Sequence, residues 1–151
     1  MLLSPLVYSN NFIKRSLDTG IPLTPMKLQK LPYLLYARFY AMYNRPLFAT
    51  QFEKWPRGPV LSEVYNAFKK YGANTIGEFS RDLNGRIAAA DESHPEFGPC
   101  FDLVWCKYGR FDGITLSQLT HQENTAWSKT DAMGDILKLE DVIEDGKRFF
   151  E

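Results

Sequence analysis

The stretch LTPMKLQKLPYLLYARFYAMYN, Leu23 to Asn44, decides the fold. Thr24-Pro25 is a helix start signal: a capping hydroxyl, then a proline where its missing N–H costs nothing. Leu28, Leu31, Leu35, Phe39 and Met42 then recur at helical spacing, while Tyr33, Leu34, Tyr36 and Tyr40 fill much of the remaining circumference. A helix that is apolar nearly all round is one surrounded by others. The segment is therefore predicted to be the central helix of a mainly α bundle, a single domain over 1–151, with room for a small β-hairpin or short strands. Pro32 lies about two turns in. It removes a backbone donor and crowds the carbonyl of Leu28, a cost of about 3 kcal/mol in a helix interior, so a kink or break is expected there.

Working outward, Ser4-Pro5 repeats the start signal, and Leu6, Ile13 and Leu17 keep a helical face until Gly20. Downstream, Leu61, Val64, Tyr65 and Phe68 form an amphipathic face closed by Gly72 after Lys69 and Lys70. Phe101, Val104, Trp105 and Tyr108 make a further helix ending at Gly109. Thr115-x-x-Gln118 reads as a capping box opening a short helix through His121. Leu139, Val142, Ile143 and Phe149 mark a terminal helix. Between Pro46 and Val60 lies a connector rich in turn residues, Pro56, Gly58 and Pro59, long enough for one strand. Asn84-Gly85 is a hairpin signal with poorly alternating flanks.

Composition fits this plan. The chain has 151 residues, 44% hydrophobic and 24% charged, enough for one domain with a sizeable core. Cys100 and Cys106 are six apart on a predicted helix and point to different faces, which suits neither a disulfide nor a shared metal. The start of the chain has no basic region before an apolar run, and no segment reaches the length of a membrane span. The expectation is a soluble, cytoplasmic protein. Net charge is zero, but residues 1–72 hold 10 Lys/Arg against 3 Asp/Glu, and residues 73–151 hold 8 against 15. The two halves are expected to lie against each other and neutralise.

Catalytic and metal signatures are sparse. Neither His94 nor His121 has a partner at metal-ligand spacing, and no phosphate loop, HExxH or GxSxG is present. The expectation is no enzyme, no cofactor and no metal. Two other readings stay open. A hydrolase or nuclease would use His121 with Glu123, and its turnover would vanish in His121→Ala. A nucleic-acid binder would use Lys14, Arg15, Lys27, Lys30, Arg38 and Arg45, with Tyr33 and Tyr40 stacking on bases. A solvated polar helix face accounts for the same basic residues more simply.

Three blocks occur in order: TPMKLQKLPYLLYARFYAMYNRPLF, FEKWPRGPVLSEVYNAFKKYG and VWCKYGRFDGITLSQLTHQENTAW. Together they resemble the Panacea family, the SocA-like antitoxins of toxin-antitoxin and phage-associated loci. Two positions depart from the family pattern: Pro32 stands where a leucine is usual, and Ala126 where a proline often precedes the tryptophan. The resemblance implies a mainly helical fold and an antitoxin that neutralises a cognate protein toxin, usually encoded by an adjacent gene, through direct binding. It also admits an adaptor that delivers the toxin to a protease. Trp55, Arg57, Pro59, His121 and Trp127 are the candidate partner-binding residues. For Arg57 there is a local argument as well: Pro56, Gly58 and Pro59 fix a turn that presents it beside Trp55, and Trp and Arg are enriched at interface hot spots. The alternative for Trp55, Gly58, Pro59, Tyr65, Trp105, His121 and Trp127 is that they hold the helices together.

Overall fold

In the computed structural model, which describes residues 2–151, the chain forms seven helices and one two-stranded sheet. Helix α1 spans Pro5–Thr19: the Ser4 side chain caps its first turn and Gly20 ends it in the left-handed region. Helix α2 spans Pro25–Tyr43, capped by Thr24 and ended by Asn44. Both pairs of boundaries fall where the Ser-Pro, Thr-Pro and Gly signals put them.

Helix α2 runs through Pro32 without a break, so that part of the expectation is corrected. Leu28, Leu31, Leu34 and Leu35 are all fully buried, each worth about 1.5–3 kcal/mol on transfer from water. Their sum exceeds the cost of one missing hydrogen bond and one crowded carbonyl. Packing on every side overrides the local preference of proline.

Around α2 lie α3 (Ser62–Phe68), α4 (Phe97–Tyr108), α5 (Gly113–Thr120), α6 (Ala126–Lys129) and α7 (Leu139–Arg148). A 3-10 turn, Lys69–Tyr71, extends α3 to Gly72. Helices α4, α5 and α7 all pack on α2, the last along the longest contact. The core is rich in rings: Phe12 meets Phe101 at 4.8 Å, Tyr33 meets Phe52 at 4.9 Å, and Tyr36 meets Phe48 at 4.9 Å. Such offset and edge-on pairs add to simple burial. Trp105 belongs to this core.

The hairpin lies in the Pro46–Val60 connector. Strands β1 (Glu53–Trp55) and β2 (Gly58–Val60) pair antiparallel around the two-residue turn Pro56-Arg57. The connector thus holds two strands rather than one, and Asn84-Gly85 makes only a turn. The reason is a pair of buried asparagines on α1. Asn10 donates to the carbonyls of Ser80 and Ala88 and accepts from the Ser80 N–H, while Asn11 donates to the Ala90 carbonyl and accepts from its N–H. Backbone groups in this loop are satisfied by side chains, which removes the need for a strand partner. Helix α5 also differs from the reading of Thr115 as its cap. The cap is Asp112, whose Oδ1 accepts from the Thr115 N–H at 2.7 Å, and α5 starts two residues before Thr115.

The two charge halves meet at Arg15, paired with Glu92 and Asp102, and at Arg45, paired with Glu96. Lys27 and Lys30, however, do not form a solvated face: both are buried. Tyr33 is also fully buried, its hydroxyl donating to Asp145, so it cannot stack on a base. No described helix is long and apolar enough to cross a membrane.

Candidate functional site

The WPRGP turn is held by side chains from three other elements. Alternate carbonyls of the hairpin each accept one hydrogen bond: Trp55 from Trp127 Nε1 at 2.6 Å, Arg57 from Ser117 Oγ at 2.5 Å, and Pro59 from Lys30 Nζ at 2.9 Å. Just past β2, the Leu61 N–H donates to Gln29 Oε1 at 2.9 Å. The outer edge of β1 is covered by the segment before α7, with Lys54 donating to the Asp135 carbonyl and Gly134 donating to that of Lys54. A three-residue strand pair would be marginal by itself. Here α2, α5 and α6 fix it, so the turn is ordered before any partner arrives.

Gly58 is required at its position on two counts. Its φ is +118°, a region that L side chains rarely adopt, and a Cβ there would sit 3.0 Å from Thr120 Oγ1 and 3.1 Å from Lys30 Cε. The backbone can approach the Lys30 stem this closely only without a side chain.

Beside the turn opens a groove of about 390 Å³. Trp55 and Tyr65 form one wall, with ring centroids 4.9 Å apart in an edge-on pair. Met26 and Gln29 of α2 contribute another side, Lys30 lies at the floor, and Arg57 and Lys69 stand exposed on the rim. No acidic residue lines it.

The Lys30 side chain is 1% exposed, and burial alone lowers its pKa from 10.5 to about 7. Unfolding in the interval between about 7 and 10.5 takes up a proton, so the burial penalty is absent above the unfolded value, grows as pH falls, and is complete below about 7. Lys30→Met is therefore expected to stabilise the chain by about 1–3 kcal/mol near neutrality, net of the lost bond to Pro59, with a smaller gain at about pH 10. Urea denaturation at the two pH values checks both the gain and its decline.

Of the five residues singled out from sequence, the structure gathers all around the hairpin but splits their roles. Trp55 and Arg57 line the groove. Pro59 is buried within the hairpin, where its carbonyl accepts from Lys30 Nζ, so it supports the turn from beneath. Trp127 is half-buried behind the hairpin, with the Lys54 ammonium 4.1 Å from its ring centre. His121 ends α5 with its ring 5.2 Å from that of Trp127 and its Nδ1 buried without a hydrogen-bond partner. Among the described residues no hydrogen bond joins His121 to Glu123. The Cys100 thiol is buried and pushed up to about 12, which keeps it protonated and a poor nucleophile.

Sequence reading missed Lys30, Gln29, Tyr65 and Lys69 as parts of one site. A usable signal was present: a lysine inside a helix that is apolar all round cannot reach water on every side, and Lys30 falls within that run.

Comparison with known proteins bears on the same residues. The model of the family described as antitoxin SocA-like, Panacea domain, matches residues 28–128, a span that includes the hairpin, the groove wall and Trp127. Antitoxin SocA of Caulobacter vibrioides (strain NA1000 / CB15N) is 35% identical over 123 residues, which cover 79% of this chain and 65% of that protein. The chain thus aligns with just under two thirds of the length of this relative. No solved structure matches. With the family model covering well over half its length, the chain belongs to the SocA-like antitoxin, Panacea domain family.

Proposed function

We propose that the chain is an antitoxin that neutralises a cognate protein toxin by direct binding, with the WPRGP turn and the groove beside it as the docking surface. It acts as a binding protein rather than an enzyme, in the cytoplasm, where Cys106, free and exposed, stays reduced. Family membership and the relative named an antitoxin support the role. The observation that supports the location is the tethering of the hairpin. Bonds from Trp127, Ser117 and Lys30 hold Arg57 at a fixed turn beside an aromatic wall. A surface ordered in advance loses little entropy on docking, and a central Arg or Trp typically contributes about 2 kcal/mol or more.

The test is co-expression with the product of the adjacent gene. Wild type, Arg57→Glu and Arg86→Glu, a charge reversal in the 80–90 loop, are compared for growth rescue and for toxin recovered by pull-down. Circular dichroism confirms equal folding. Wild type and Arg86→Glu are expected to rescue, while Arg57→Glu loses at least about tenfold in affinity. Rescue by Arg57→Glu at wild-type level removes the turn from the interface. Toxin that is degraded faster rather than held in a stable complex favours delivery to a protease.

A further inference from the structure

Folding does not account for the amine at the floor of the groove. Lys30 Nζ has one hydrogen-bond partner, the Pro59 carbonyl, and among the described residues no carboxylate pairs with it. An ammonium carries three donors. A buried cation without a counter-ion works against the fold that encloses it, and apolar side chains of the same length would fill the space without that cost. Yet the stem is held in place, packed so closely under Gly58 that a Cβ there would lie 3.3 Å from Nζ.

The surroundings are those of a receptor for a negative charge. Exposed Arg57 and Lys69 stand on the rim above Lys30, Trp55 and Tyr65 offer an apolar wall, and the lining holds no acidic residue. A volume of about 390 Å³ is at the small end of ligand sites and accommodates one or two side chains. Resting on the antitoxin reading, we propose that the groove receives an aspartate or glutamate side chain of the toxin, with a neighbouring apolar side chain of the same segment against Trp55 and Tyr65. The incoming carboxylate is the counter-ion that Lys30 lacks. Charge-assisted hydrogen bonds to a buried ammonium are among the stronger polar contacts, while Arg57 and Lys69 orient the approach.

The groove can be tested without the toxin. The capped dipeptide N-acetyl-phenylalanyl-glutamate amide, or its glutamine counterpart, is titrated into the full chain while the Trp55 indole N–H resonance is followed by NMR. The glutamate peptide is expected to shift it saturably, the glutamine peptide to bind at least about tenfold more weakly, and Lys30→Met to abolish the difference. Lys30→Met is expected to melt above wild type, so a lost response in that variant is not a lost fold. Equal shifts from the two peptides, no shift up to about 10 mM, or an undiminished glutamate preference in Lys30→Met overturns the proposal. So does a single-stranded oligonucleotide shifting the same resonance while the glutamate peptide does not. With the adjacent-gene toxin, weaker binding to a more stable Lys30→Met variant supports the groove. Equal binding of both variants overturns the groove and leaves the antitoxin reading standing. If the toxin binds neither, the antitoxin reading fails, and the dipeptide titration still decides the groove.

Discussion

Replacing Gly146 with alanine is expected to destabilise the protein by at least about 3 kcal/mol, a large share of the roughly 5–15 kcal/mol typical of a native domain. Helix α7 crosses α2 with the Cα of Gly146 directly on the main chain of Ala37. An added methyl would sit 2.0 Å from the Ala37 carbonyl oxygen and 2.4 Å from its carbon. These atoms belong to the backbone of a helix that is buried over most of its length, so no rotamer change relieves the overlap. The helices must separate, and separation uncovers the apolar rows on both. Gly77 is the control: nothing lies within 4 Å of its Cβ position and its φ is not in the left-handed region, so Gly77→Ala is expected to stay within about 0.5 kcal/mol of wild type. Urea midpoints of the three proteins decide it. A Gly146→Ala midpoint equal to that of wild type refutes the close crossing.

Asp145→Ala is expected to cost about 3–5 kcal/mol. This carboxylate is fully buried at the same crossing and accepts from the Tyr33 hydroxyl at 2.5 Å, from the Ala126 N–H at 3.1 Å and from Arg148. It joins the central helix, the start of α6 and the terminal helix through one group. Truncation strands a buried phenol and a buried amide donor and leaves the Arg148 guanidinium without its carboxylate. Burial raises the Asp145 pKa, and the three donors oppose that rise. The network is therefore held by its hydrogen bonds rather than by net charge stabilisation. Tyr33→Phe, which removes one donor and keeps the ring, is expected to cost about 1–2 kcal/mol. In a double-mutant cycle the two changes should fall short of additive by about 1 kcal/mol or more, since each removes the same bond. Full additivity in denaturation measurements refutes the coupling.

Helix boundaries were legible wherever a local chemical signal sets them. Ser4-Pro5, Gly20 and Thr24-Pro25 act within one turn, and the chain obeys them. The same locality explains the misreadings. Asn84-Gly85 is a good turn, but whether its flanks become strands depends on Asn10 and Asn11, some seventy residues earlier. Thr115 could have capped a helix had Asp112 not stood three residues before it with a carboxylate in reach of the Thr115 N–H, which starts the helix earlier and leaves Thr115 inside it. The true hairpin carries almost no periodic signal, because three-residue strands have no room for one, and long-range bonds supply its stability.

The candidate site divides along the same line. Arg57 was legible because proline and glycine on either side of it announce an exposed turn. Lys30 was legible only as a lysine within an apolar run, whereas its place beneath the hairpin depends on the tertiary closure of β2 and α5 over its stem. Pro59 was legible as part of the turn, whereas the bond from Trp127 to the hairpin, and the side each residue takes between scaffold and surface, depend on which face of the hairpin meets the protein.

The partnership of α2 with α7 also sets a schedule for synthesis. The central helix is complete at Tyr43, but the helix with the longest contact on it ends at Arg148. At about 5–20 residues per second, ribosomal elongation separates the two by several seconds or more, during which the greasy face of α2 has no permanent cover. A nascent chain that lacks α7 therefore exposes this apolar face, the condition in which unfinished chains are prone to aggregate.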